Sequence, residues 1–287
     1  MIFEMPGIKK ESSQYRFLEI RPCFSYPNAK EKVMNKSQDL PRLIEVLLRT
    51  ERIVVLTGAG ISAESGIPTF RGEEGLWKKY RAEQLATPSA FSQNPHLVWE
   101  WYDWRRGIIN SKNPNPGHQT LAKWGNRFPS FTVITQNIDG FHQKVGSADV
   151  LELHGNIWKM RCTQKGTLWE NNEVPLKQIP PECPKCGALL RPHVVWFGES
   201  LDFSILTKAF QLSSKSQVMF VIGTSAVVQP AASLPFSAAD AGAKIVEINP
   251  EPTPLSSHAD FSFRGKSGEI LPMIDAELEK AEKHSEG

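Results

Sequence analysis

A chain of 287 residues with 40% hydrophobic composition can bury a sizeable core, in one large domain or two ordinary ones. Its 33 Lys and Arg against 31 Asp and Glu leave a net charge of +2, no field that would by itself steer it onto nucleic acid. No apolar run approaches the roughly 18 residues of a membrane helix, and the N-terminus lacks the apolar core of a secretory signal, so a cytoplasmic location with no membrane partner is expected.

Residues 1–36 follow neither a helical nor a strand period and are expected to be a loose extension, with Met34 a candidate start. The first helical pattern is "DLPRLIEVLLRT", residues 39–50. Short apolar, β-branched runs follow: "RIVVLTG", "FTVITQN", "VLELHG", "QVMFVIGTS" and "KIVEINP". Runs of this kind read as parallel strands buried on both faces. Helical patterns fall between most of them, among them "GHQTLAKW", "PAASLPFSAADAGA" and "EILPMIDAELEKAEKH". The expected fold is α/β: a Rossmann-like, doubly wound parallel sheet built from residues 37–71, 119–155 and 193–287. Two intervals break the rhythm, the aromatic, helix-compatible 72–118 and the Pro- and Cys-bearing 156–192. They are expected to form a smaller lobe from a helical module and a zinc-ribbon-like module.

At the end of the first strand stands "TGAGISAESGIPTFRG", residues 57–72. In an open α/β sheet the ligand crevice lies beyond the carboxyl ends of the strands, and glycines there let backbone N–H groups approach a pyrophosphate. The spacing departs from GxGxxG, so on this motif alone a tight strand-to-helix turn is an alternative reading. The other strand ends shift the balance. "TQNID", "LHGN", "GTS" and "INPE" bring Asn, Asp, His, Ser and Thr to the same edge, which suits a ligand with two riboses and a phosphate bridge.

Taken in order with "RPHVVWFGE", these motifs resemble the sirtuin family of NAD-dependent protein-lysine deacylases, over residues 38–270. The resemblance implies that Gly58, Ala59, Gly60 and Arg71 hold the NAD pyrophosphate and neighbouring ribose, with Phe70 over the nicotinamide side. Gln136, Asn137, Ile138 and Asp139 match the nicotinamide and ribose pocket. Gly223, Thr224, Ser225, Asn249 and Glu251 match the adenosine half, with Ser267 near the adenine. His154 matches the catalytic base, although a lone His at a strand end is more often structural. In the family's chemistry the acyl-lysine oxygen attacks the ribose carbon that loses nicotinamide, giving an alkylimidate; the products are free lysine, nicotinamide and O-acyl-ADP-ribose. The resemblance implies that Asn137 and Asp139 complete the catalytic set. Val195, Phe197, Gly198 and Glu199 lie in a segment that, in the family, pairs with an extended substrate backbone; an apolar linker between lobes is the other reading.

Within "VWEWYDWRRGII", residues 98–109, Tyr102 and Arg105 lie three apart on one helical face, beside a stripe of Trp101, Trp104 and Ile108. Periodicity alone makes them solvent-facing flanks. The Tyr-x-x-Arg pair nevertheless looks like the sirtuin class that removes succinyl, malonyl and glutaryl groups, where the two side chains bind the distal carboxylate and a small residue, here Ala86, leaves the tunnel wide. A guanidinium fork and a phenol are suited to a carboxylate.

The chain has 4 cysteines. Three fall within residues 162–186, too few and too clustered for a disulfide scaffold, and Cys23 reads as an ordinary thiol. The family's zinc site uses two Cys-x-x-Cys pairs; here Cys183 and Cys186 form one, but the partner of Cys162 is Lys165. Three thiolates leave a tetrahedral site open. Water or a carboxylate such as Glu170 or Glu182 would complete it, or packing alone holds the module. The competing functions are mono-ADP-ribosyl transfer or NAD hydrolysis on the same pocket, and a non-catalytic NAD-binding protein. Neither insertion has the basic and aromatic interleaving of a nucleic-acid surface, and a monomer is compatible with the sequence.

Overall fold

The computed structural model describes residues 36–68, 76–77 and 80–285, and every structural statement here concerns them. The first half runs α1 (Lys36–Leu47), β1 (Arg52–Thr57), α2 (Ala59–Ala63), β2 (Leu76–Trp77), β3 (Tyr80–Arg81), α3 (Ala82–Leu85), α4 (Pro88–Gln93), α5 (Pro95–Asn110), α6 (Pro116–Arg127), β4 (Ser130–Thr135), α7 (Phe141–Lys144) and β5 (Val150–Glu152). Then come β6 (Gly155–Cys162), β7 (Leu168–Glu170), β8 (Leu190–Val194), α8 (Phe203–Lys215), β9 (Val218–Ile222), α9 (Leu234–Asp240), β10 (Lys244–Ile248), β11 (Phe261–Phe263) and α10 (Ser267–Ser285).

Six strands form a parallel sheet in the order β11-β10-β9-β1-β4-β5. From β1 the chain steps outward through β4 to β5, then returns to β9 on the other side of β1 and steps outward again through β10 to β11. This is the doubly wound order, and its switch point lies between β1 and β9. The apolar runs are buried along nearly their whole length because both faces are covered. On one face Leu43, Leu121, Trp124 and Leu271, from α1, α6 and α10, pack over Val55, Val133 and Phe220; on the other, Ala209, Leu234 and Ala238 from α8 and α9 cover Leu56, Met219 and Ile245.

The helical and cysteine-bearing insertions share one apolar core, in which Leu85, Val98, Trp99 and Trp101 meet Ile157, Met160, Leu190 and Trp196. Its sheet is β7-β6-β8, antiparallel. Residues 190–194, partly assigned to the large domain from sequence, form β8 of this small sheet. The strand read from "VLELHG" is shorter than expected: β5 ends at Glu152, and His154 lies in the turn that leads into β6. No helix is long and apolar enough to cross a membrane among the described residues.

Local chemistry sets α5 and its approach. Thr87 accepts the Ala90 N–H at 3.0 Å to start α4, and Asn94 accepts the Leu97 N–H at 3.0 Å to start α5, each followed by Pro in the first turn. Ala86 is the joint between α3 and α4.

Candidate active site

The switch point is closed by contact between two strand ends. Gly58 N–H donates to Ile222 O at 3.0 Å and Gly60 N–H to Gly223 O at 2.7 Å. A Cβ on Gly58 would fall 2.7 Å from Thr224 Cβ, and one on Gly60 would fall 2.6 Å from Gly223 Cα. These glycines are therefore required by protein packing first. Their own amides serve the neighbouring strand end, which corrects the expectation that they point at a phosphate. Gly223 itself adopts φ +59, the left-handed region.

Around this junction the polar strand ends lock together. Asn137 Nδ2 donates to Gly58 O at 3.0 Å and to Ser62 Oγ at 3.1 Å, while Ser62 Oγ donates to Asp139 Oδ2 at 2.7 Å. Asp139 Oδ1 accepts the Phe141 N–H at 2.9 Å. Burial raises the Asp139 carboxyl above its ordinary value, against these hydrogen bonds and the charge of Arg105. Gln136 Nε2 donates to Thr224 Oγ1 at 3.1 Å, and Asn249 Nδ2 to Thr224 O at 3.0 Å, tying the two halves of the edge. Ile138 is buried in the small-lobe core, and its carbonyl accepts the Ile157 N–H.

His154 Nδ1 lies 2.9 Å from Gln136 O. A carbonyl only accepts, so Nδ1 carries the proton and Nε2 keeps a lone pair. Burial lowers the His154 pKa below its usual value, opposed by the bond to Gln136. The imidazole is thereby held in the form a general base needs.

The substrate candidates also converge. Val195 N–H donates to His154 O at 2.9 Å, Trp196 Nε1–H to Tyr102 Oη at 2.8 Å, and Phe197 N–H to Ala86 O at 2.9 Å. Successive residues of one extended segment thus touch the base, α5 and the joint at Ala86. Gly198, at φ +87, turns the chain so that Glu199 N–H reaches back to Trp196 O at 2.9 Å. Phe197 is 51% exposed, available to a peptide.

Tyr102 is fully buried and Arg105 is 4% exposed, so neither flanks the stripe. The buried face of α5 includes both, with Val98, Trp99, Trp101, Arg106 and Ile109, whereas Trp104 and Ile108 are half-buried. Burial raises the phenol of Tyr102, and burial lowers the guanidinium of Arg105 against the pull of Tyr102 and Asp139.

Ser267 donates both its N–H and its hydroxyl to Glu64 Oε1 at 2.6 Å, and Gly268 N–H reaches Glu64 Oε2 at 2.8 Å, so Glu64 caps α10 and the Ser267 hydroxyl hydrogen is not left for an adenine. Ser225 and Glu251 are exposed. Phe70 and Arg71 lie outside the described residues. Ser62, Glu64 and Trp196 bond directly to the candidate residues without standing out in the sequence, although Ser62 lies inside "GAGIS" and Trp196 inside "VVWFGE".

The thiols of Cys162, Cys183 and Cys186 lie within 4.8 Å of one another, with Cys162 and Cys186 Sγ 3.6 Å apart. Neither Glu170 nor Glu182 places a carboxylate in this cluster, so the carboxylate completion considered from sequence is not built in. Lys165 contributes its backbone: its N–H donates to Cys162 Sγ at 3.4 Å and is the leading cause that lowers that thiol to about 7. The donor set suits a zinc ion held by three thiolates with its fourth position open. The strand-end groups likewise suit NAD, since Gln136 and Asn137 after β4, Thr224 after β9 and Asn249 after β10 hydrogen-bond at the switch point.

Comparison with known proteins adds independent findings. The Sir2 family model matches residues 58–230. An NAD-dependent protein deacylase of Aquifex aeolicus (strain VF5) is 58% identical over 222 residues, 77% of this chain and 93% of that protein. A Sir2 homolog solved as an NAD complex superposes with TM-score 0.80 at 46% identity, covering 84% of this chain and 94% of that one. A solved Sir2–p53 peptide–NAD+ structure gives TM-score 0.74 at 33% identity, over 83% of this chain and 98% of that one.

Proposed function

The chain belongs to the Sir2 family and is an NAD-dependent protein deacylase, and from that premise we propose that its preferred substrates are lysines whose acyl group ends in a carboxylate: succinyl, malonyl or glutaryl. One observation carries this reading. Tyr102 and Arg105 are both buried on α5, beside the segment that joins His154 to Ala86. A guanidinium withdrawn from water favours an occupant that brings a negative charge, and a phenol one turn away supplies a further donor. The small side chain at Ala86 leaves room for a longer acyl chain. An acetyl group offers no distal acceptor, so acetyl removal is the weaker activity.

Bound NAD supplies the electrophilic ribose carbon and nicotinamide as leaving group. The chain's own residues do the rest. Asn137 and Asp139, fixed through Ser62, would hold the nicotinamide ribose, and Gln136, Thr224 and Asn249 would line the remainder of the dinucleotide. His154, with Nε2 unprotonated, accepts a ribose hydroxyl proton. The peptide would run beside Val195 to Glu199, delivering the acyl-lysine between His154 and α5.

The experiment pairs acetyl- and succinyl-lysine peptides of one sequence with NAD and follows nicotinamide release. Arg105→Met should cut kcat/KM on the succinyl peptide by about 10²-fold while changing deacetylation far less, because a buried charge–charge pair is lost only in the first case. Equal losses on both peptides would remove the carboxylate-reading role.

A further inference from the structure

Tyr102 is fully buried, and its one hydrogen bond among the described residues is the one it accepts from Trp196 Nε1–H at 2.8 Å. An indole nitrogen only donates, whereas a phenol both donates and accepts. The Trp196 bond therefore occupies a lone pair of the Tyr102 oxygen and leaves the O–H to another acceptor. Burial keeps that phenol protonated. The indole is itself fixed. Its ring lies 3.5 Å from Arg191 Cζ and 5.3 Å from the Phe91 ring, and its backbone N–H donates to Glu199 Oε2 at 2.9 Å. Arg191 in turn forks onto Glu199 at 2.6 and 2.8 Å, and although burial pushes the Glu199 carboxyl up, this fork holds it below its ordinary value.

We propose that Trp196 is a positioning residue for acyl selection: its indole N–H sets the Tyr102 oxygen as acceptor on one side, so that the phenol hydrogen is presented to the acyl site and favours a group with an acceptor at its far end. Glu199 and Arg191 carry the orientation of the peptide-binding segment, through the Trp196 ring, onto a residue 94 positions earlier in the chain. Selectivity and peptide binding are then linked by one side chain, because Trp196 stands between Val195 and Phe197. The inference rests on the reading of Tyr102 and Arg105 as carboxylate ligands.

Trp196→Phe tests it, since the ring is kept for Arg191 and Phe91 while the N–H is lost. The ratio of succinyl to acetyl kcat/KM should fall about tenfold, mostly through KM for the succinyl peptide. In a Tyr102→Phe background the same substitution should change the ratio no further, which a general packing role would not produce. If wild type prefers the succinyl peptide and Arg105→Met abolishes the preference, yet Trp196→Phe leaves the ratio intact, Trp196 has no such role and the carboxylate reading survives. If wild type shows no succinyl preference, that reading fails first. Should Trp196→Phe not fold, a crystal structure of the wild-type protein with a succinyl-lysine peptide decides the matter. The phenol oxygen should lie within hydrogen-bond distance of both Trp196 Nε1 and the distal carboxylate, and absence of either contact overturns the proposal.

Discussion

Asn137 and Asp139 at the carboxyl edge of the large sheet are about as buried as Tyr102 and Arg105 on α5, but they are held by different means. At the edge, the Ser62 hydroxyl bridges Asn137 to Asp139, and Gly58 O and Phe141 N–H take the remaining bonds. On α5 the surroundings are indole rings: Trp101 lies 4.6 Å from Tyr102 edge-on, and Arg105 Cζ lies 5.5 Å from the Trp101 ring. A site whose polar groups satisfy one another is rigid before any ligand arrives, as a shared cofactor pocket requires. Under the proposed reading, a site walled by aromatics, with the Tyr102 O–H pointed at the ligand, would gain most from the one ligand that matches it.

Replacing His154 by alanine should lower turnover of acetyl and succinyl peptides alike by about 10²- to 10⁴-fold, because the base serves every acyl group. Steady-state assays on both peptides check this; a loss confined to one would merge the two regions. Because burial places the His154 pKa below 6.5, and the base works only when unprotonated, the acid limb of kcat/KM should fall below pH 6.5. Gly60→Ala forces a Cβ to 2.6 Å from backbone at the strand-end junction and should cost about 3 kcal/mol of stability in chemical denaturation. Ser62→Ala leaves Asn137 and Asp139 each short of a partner and should cost about 2 kcal/mol, with both acyl activities falling together. Gly107→Ala on α5 marks the other extreme. A Cβ there meets nothing within 4 Å, and the change should stabilise the helix by about 0.5–1 kcal/mol.

The edge was largely legible in the sequence and the α5 wall was not. Strands buried on both faces announce themselves as continuous apolar runs, and their polar ends at Gln136, Asn137, His154, Thr224 and Asn249 fall at one edge of any doubly wound sheet. The strand at Phe261–Phe263 escaped because a three-residue run is too short to show a period. On α5 the helical period is readable, but periodicity alone does not say which face is inside. Tyr and Arg count as polar in any pattern, so only the neighbours that cover them reveal that they are inside.

The amino-acid order by itself determined the parallel sheet, the switch-point loop, the family resemblance and the residue types available for chemistry, because each of these follows from local spacing and composition. That Gly60 is required by Gly223, that Glu64 caps α10 at Ser267, and that Trp196 meets Tyr102 emerges from the folded chain alone. Those pairings join residues far apart in the chain, and what brings them within bonding distance is the path of the backbone between them, which no local period encodes.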